Sequence, residues 1–167
     1  MSAEREARSP IAKTTLSFLG HGLGQPRHPA LVDLLAHWRA SAVGGELPPR
    51  TAFDPYKIKR WLTRMFLAAP EGETFRYRVF GSALEHRLGV FAHRRTVREV
   101  WPEDTAARTD AWFSRVIGSR EPIVLHGHMK SLQGGQVGFE CLLAPVTSAH
   151  KDDVWVIGCL CADDEGA

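Results

Sequence analysis

The sequence predicts an α+β domain: a five-stranded antiparallel sheet, short helices packed on one of its faces, and a further helix at the N-terminal end. Three observations carry this. "RMFLAAP" and "FRYRVFG", joined by the tight connection "EGET", read as a β-hairpin. Three later runs, "PIVLHGHMKSL", "QVGFECLLAPVT" and "DVWVIGCLCA", are separated only by short turns, and strands joined that way pair antiparallel. Helical periodicity appears before the hairpin and again between the hairpin and the last three strands.

Residues 1–26 mix charge, Gly and Pro, including "GHGLGQP", and read as a flexible lead-in. A single domain is expected over 27–162, followed by an acidic tail over 163–167. "HPALVDLLAHWRASAVGG" opens with Pro29 in its first turn, repeats Leu31, Leu34, Leu35 and Trp38 at helical spacing, and stops at Gly44-Gly45. The Pro-punctuated connector "LPPRTAFDPYKIKRWL" offers Asp54 as N-cap and Pro55 as first residue of a short helix. In the second hairpin strand, Phe75, Tyr77 and Val79 face one way by alternation, and Arg76, Arg78 and Phe80 the other. "SALEHRLG" reads as a short helix with Ser82 and Glu85 as a capping box and Leu84 and Leu88 on one face. "VFAHRRTVREVWPED" is irregular, with a turn of helix before Trp101-Pro102. A second clear helix runs from Asp104 to Gly118 and turns Trp112, Phe113 and Val116 inward. Gly134-Gly135 and "SAHKD" supply the last two turns.

The chain has 167 residues, 44% hydrophobic, with five Trp, enough for one domain with a substantial core. Charge is unevenly distributed. Residues 57–98 hold ten basic and three acidic side chains, whereas 99–167 hold five basic and eleven acidic. Such runs ordinarily form solvated faces, and a basic face is otherwise suited to an acidic partner. The three Cys (Cys141, Cys159, Cys161) form no CxxC pair. Cys159 and Cys161, two apart on one strand, are poorly spaced for a disulfide, so a reducing, cytoplasmic setting is expected. No apolar run is long enough to span a membrane, and the N-terminus lacks the apolar region of a signal peptide.

The motifs of common catalytic and cofactor sites are missing. "VFGSALE" has neither the Gly-x-Ser-x-Gly of a nucleophile elbow nor the GxGxxG of a dinucleotide loop. His126 and His128 share one strand face but have no third metal ligand nearby in sequence. Cys141, in an apolar strand, reads as a buried, inert thiol. No catalytic residue and no metal site is assigned. Arg87, Arg94, Arg95 and Arg98 form a basic cluster without interleaved exposed aromatics, so nucleic-acid binding is not expected.

The order of elements and a series of local motifs resemble the PAS domain family, in the form found widely in alphaproteobacteria as stand-alone proteins of this length. The matching residues run "LLAHWRA", "GGELPPRTAFDP", "FRYRVFGSALEHRLG" and "FECLLAPV", with Trp38, Pro48, Arg50, Asp54, Pro55, Tyr77, Arg78, Gly81, Leu88 and Gly89 in the family's positions. The resemblance covers about residues 28–162. One departure is "VFAHRR", which places Arg94 near where the family has glycine. The resemblance implies a non-enzymatic regulatory or signalling module acting through a partner protein. Its outer sheet face and N-terminal helix (Leu31, Leu34, Leu35, Trp38) would be the contact or dimer surface. It also implies a space between helices and sheet that is either filled or holds a small ligand. Phe80, Leu84, Leu88, Trp101, Trp112, Phe113, Val116 and Phe139 are the candidates to line it, with Arg78, His126 and His128 as its polar groups. A small-molecule or haem sensor is the alternative, with His86 and His93 in the region where some family members carry an axial ligand. No cofactor is assigned.

Overall fold

The computed structural model describes residues 17–22 as backbone, and residues 25–131 and 133–165. Its strands are β1 (Ser17–Gly22), β2 (Met65–Glu71), β3 (Thr74–Phe80), β4 (Ile123–Lys130), β5 (Gln136–Thr147) and β6 (Val154–Ala162). Its α-helices are α1 (Pro29–Ser41), α2 (Ser82–Leu88), α3 (Val97–Val100) and α4 (Glu103–Ser119). The strands form one antiparallel sheet in the order β1-β4-β5-β6-β2-β3.

Five of these strands are the expected hairpin and meander. The sixth, β1, falls inside the stretch read as a lead-in and pairs with β4 from Ser17↔His128 to Gly22↔Val124. "SFLGHG" has too much Gly and too little alternation to announce a strand, and it is the open edge of β4 that organises it.

A hydrophobic core lies on each face of the sheet. On the inner face, α2, α3 and α4 cover a core that includes Phe66, Tyr77, Phe80, Phe113, Leu125, Phe139 and Leu160. On the outer face lie α1 and the 50–64 connector. There Leu31, Leu34, Leu35, Trp38, Phe53, Ile58 and Trp61 pack on Val124, Leu142, Ala144, Val146, Ile157 and Cys159. Trp38 Nε1 donates to the Pro145 carbonyl at 2.8 Å and Trp61 Nε1 to the Ala30 carbonyl at 2.8 Å, so both large rings are fixed at their polar ends.

The strict alternation expected along β3 fails at one place. Leu67 pairs with Val79 but Ala68 with Tyr77, so Arg78 is the extra residue of a β-bulge. Beyond it the faces exchange. Phe80 joins Phe75 and Tyr77 in the core, and Val79, read as their companion, is 40% exposed.

Helix α2 begins at Ser82, with Gly81 as its N-cap and no side-chain cap. The capping box expected at Ser82 and Glu85 is instead formed one helix later, by Thr96 and Glu99. Gly81 holds the earlier position because a β-carbon there would lie 2.2 Å from the Thr63 carbonyl oxygen, and only glycine allows that approach. In the connector, Asp54 and Pro55 open a single turn in which the N–H groups of Lys57 and Ile58 donate to the Asp54 carbonyl. A separate 3-10 turn, Arg50–Phe53, precedes it.

Arg94 explains the sequence's departure from the family pattern. Its φ is +65°, in the left-handed region that glycine favours. The strain is offset by two hydrogen bonds: its N–H donates to the Tyr77 carbonyl at 2.8 Å, and its carbonyl accepts from Arg76 Nη1 at 2.6 Å.

The acidic end is docked rather than a free tail, at least to Glu165. Asp164 and Glu165 both pair with Arg87, whose side chain is only 4% exposed. Glu165 also meets Arg64 at 3.6 Å. Arg87 therefore leaves the solvated basic cluster proposed for it. A guanidinium this deeply covered requires fixed counter-charges, and Asp164 and Glu165 supply them.

Two substitutions test the backbone assignments. Gly81→Ala drives a β-carbon into fixed backbone and is expected to lower unfolding free energy by ~2–4 kcal/mol in urea denaturation. Arg94→Gly relieves the left-handed strain and is expected to leave stability unchanged or raise it by up to ~1 kcal/mol by the same measurement.

Candidate functional site

Each face of the sheet has a space beside it. The inner one is a small apolar cavity of about 50 Å³. Six of the sequence-derived candidates line it: Phe80, Leu84, Leu88, Trp101, Trp112 and Phe113. Phe66, Tyr77, Thr109, Leu125, Cys141, Leu143 and Leu160 complete the wall. Periodicity missed most of these because they belong to strands buried on both faces, where no alternation marks the inner residues. Val116 and Phe139 are core residues but do not line the cavity.

Aromatic rings fill most of this space. Phe66 meets Tyr77 edge-on at 5.6 Å between centroids, Phe75 meets Phe113 edge-on at 5.2 Å, and Tyr77 meets Phe80 at 5.1 Å. Phe66 in turn fits over Gly158, where an added β-carbon would fall 2.0 Å from the ring. The polar groups at the wall are held in place. Trp101 Nε1 donates to the Tyr77 hydroxyl at 3.0 Å. Burial pushes the Tyr77 hydroxyl's pKa well up, with the Trp101 hydrogen bond opposing, and burial likewise pushes the Cys141 thiol up. Both groups therefore stay protonated at neutral pH, and Cys141 is not a nucleophile there.

The three polar candidates do not reach this cavity. Arg78 lies on the outer side, where its guanidinium sits over the Trp155 ring, 5.8 Å from its centroid. His126 and His128 alternate with Leu125 and Met129, which face the inner core, so they belong to the outer face. His86 and His93 are exposed and lie on the surface. A cavity of about 50 Å³ is also far below the several hundred Å³ that a haem or drug-sized ligand requires.

The outer space is a polar cleft of about 430 Å³ whose lining includes Arg27, His28, His126, His128, Glu140 and Asp163. Glu140 is its organising group. This buried carboxylate accepts from the Arg27 N–H at 2.9 and 3.0 Å and from the His28 N–H at 2.6 Å. His28 is the N-cap of α1, so a side chain from β5 satisfies the start of that helix and places negative charge at its positive end. His126 Nδ1 lies 3.7 Å from the same carboxylate. His28 Nδ1 is buried without a hydrogen-bond partner among the described residues. Those residues contain no cluster of three or more His, Cys, Asp or Glu able to hold a metal ion.

The expected contact surface is already used. Leu31, Leu34, Leu35 and Trp38 are 0%, 1%, 3% and 8% exposed, because α1 lies on the outer sheet face of its own chain. Helix and sheet cannot both be offered to a partner while each covers the other. All three Cys are unpaired and buried. Cys159 and Cys161 lie on the outer face, where a hydrogen bond from Cys159 and then the nearby Arg64, 3.4 Å from the Cys161 sulfur, hold the Cys161 thiol's pKa down.

The model of the PAS domain family matches residues 26–161, and the chain belongs to that family. Its class is therefore that of the sensory and regulatory PAS domains. Among solved structures, an RNA-binding light-oxygen-voltage receptor is similar, at 16% identity and a TM-score of 0.43. That match covers 92% of this chain and 39% of the receptor chain. No curated protein matches the sequence. No helix among the described residues is long and apolar enough to cross a membrane.

Removing the Glu140 carboxylate strands two backbone N–H groups at a half-buried helix start. Glu140→Ala is expected to destabilise the protein by ~2–4 kcal/mol, as for other buried, hydrogen-bonded charges. Hydrogen exchange should show the largest loss of protection in α1; a uniform loss across the sheet would count against the capping role.

Proposed function

We propose that this chain is a non-enzymatic PAS-type regulatory module that works by binding a partner protein. The observation that carries the reading is the size and lining of the inner cavity. About 50 Å³, walled by aromatic and aliphatic side chains, leaves no room for a cofactor. Its two titratable wall groups, Tyr77 and Cys141, are held protonated and offer neither a base nor a nucleophile. A module whose interior is nearly solid has its surface left for communication. The unpaired thiols suit a reducing compartment, and we place the protein in the cytoplasm. A dimer through α1 would require that helix to leave the sheet, so a partner docks elsewhere.

The test combines native mass spectrometry of the purified protein with cross-linking in its own cells. The expected outcome is the bare polypeptide mass of 18.6 kDa, or a simple multiple of it, and a discrete protein adduct in cells. A non-covalent added mass that disappears on denaturation would replace this reading with a small-molecule sensor.

A further inference from the structure

We propose that the groove between the Arg50–Ile58 segment and strands β2, β3 and β6 docks a short segment of a partner protein that carries a carboxylate beside an aliphatic or aromatic side chain. This rests on the regulatory reading above and adds where the partner sits and what chemistry it brings. The groove has a volume of about 240 Å³ and a floor that includes Phe53, Ile58, Leu67, Val79 and Ile157. Val79 is in that floor only because of the bulge at Arg78, which turns a strand residue expected in the core out to 40% exposure. Tyr56, in the segment that forms one wall, is 96% exposed.

The rim supplies the charge. Arg50 and Arg78 both lie over the same ring, Trp155, at 5.0 and 5.8 Å from its centroid. Neither guanidinium forms an ion pair with a carboxylate among the described residues. The indole holds both planar groups in position, so little side-chain entropy remains to be lost when an anion arrives. Two guanidiniums held on one indole next to an apolar floor suit a carboxylate with an adjacent apolar side chain. Asp54 also lines the groove and disfavours a segment that is acidic throughout. Nucleic acid fits less well. The floor is aliphatic, and the Trp155 ring carries the two guanidiniums instead of lying open for a base to stack.

The experiment selects from a displayed library of short random peptides on the wild-type protein, with depletion on an Arg50→Glu/Arg78→Glu double variant. Enriched peptides should carry Asp or Glu beside Leu, Ile or an aromatic residue. Their affinity should fall at least ~10-fold on Arg78→Glu and weaken with added salt, as for a paired interfacial charge. Val79→Asp should weaken them as well. Replacing the peptide's carboxylate with Lys should restore binding to the double variant. Matching thermal unfolding curves establish that the variants are folded.

Failure to enrich any class, or equal binding to the double variant, would overturn the proposal. So would poly(U) RNA binding that vanishes with the same substitutions, which would make the groove a phosphate site. Self-association lost in the double variant, read by sedimentation, would give the groove to a second copy and overturn it too. Cross-linking in cells separates the two levels. An adduct that persists in the double variant leaves the regulatory reading standing and removes this groove, whereas no adduct with wild type removes the reading itself.

Discussion

Strand β5 is buried on both faces over its last nine residues, from Phe139 to Thr147, and the arrangement of the molecule follows from that constraint. A sheet apolar on both sides must be covered on both sides, and a strand of this kind sits in the middle layer of a three-layer domain. The inner face takes α2, α3 and α4, and the outer face takes α1 and the connector that follows it. Covering the outer face carries an electrostatic requirement, because the N–H groups of Arg27 and His28, which lead into α1, arrive at the sheet without partners in the helix. Glu140, on β5 itself, meets them. The strand that creates the need for a cover also supplies the group that fastens it.

On the inner side the physics is that of close packing. The rings of Phe66, Tyr77, Phe80 and Phe113 meet at centroid distances between 5.1 and 6.4 Å, and glycine at position 158 lets Phe66 lie against the sheet. The void that remains is small and almost wholly apolar. Dry voids of this kind gain little from water and exclude large ligands.

The bulge at Arg78 links interior and exterior. One extra residue in β3 delivers Phe80 to the aromatic cluster and sends Arg78 and Val79 outward. The outward pair then meets Trp155 and Ile157, which alternate along β6 on the same face. A purely periodic strand would have kept Val79 beside Tyr77 in the core and turned Phe80 outward with Arg78. The left-handed Arg94, bonded to Tyr77 one residue before the bulge, closes the open edge of β3 at that point.

The sequence by itself determined the class of fold, the hairpin, the meander and the two long helices, since these rest on periodicity and turn chemistry that act over a few residues. It also determined most of the inner wall contributed by helices, because Leu84, Leu88, Trp112 and Phe113 lie on the apolar stripes of their own helices. Only the tertiary structure decided the rest. Which face His126 and His128 occupy depends on how β4 pairs with its neighbours, and alternation alone gives two faces without saying which is inside. Leu31, Leu34, Leu35 and Trp38 form an apolar stripe that fits a partner and the chain's own sheet equally well, and it is the two-sided burial of β5 that assigns it to the sheet. The docking of Asp164 and Glu165 on Arg87, and the strand over Ser17–Gly22, arise from long-range pairings with no local signature.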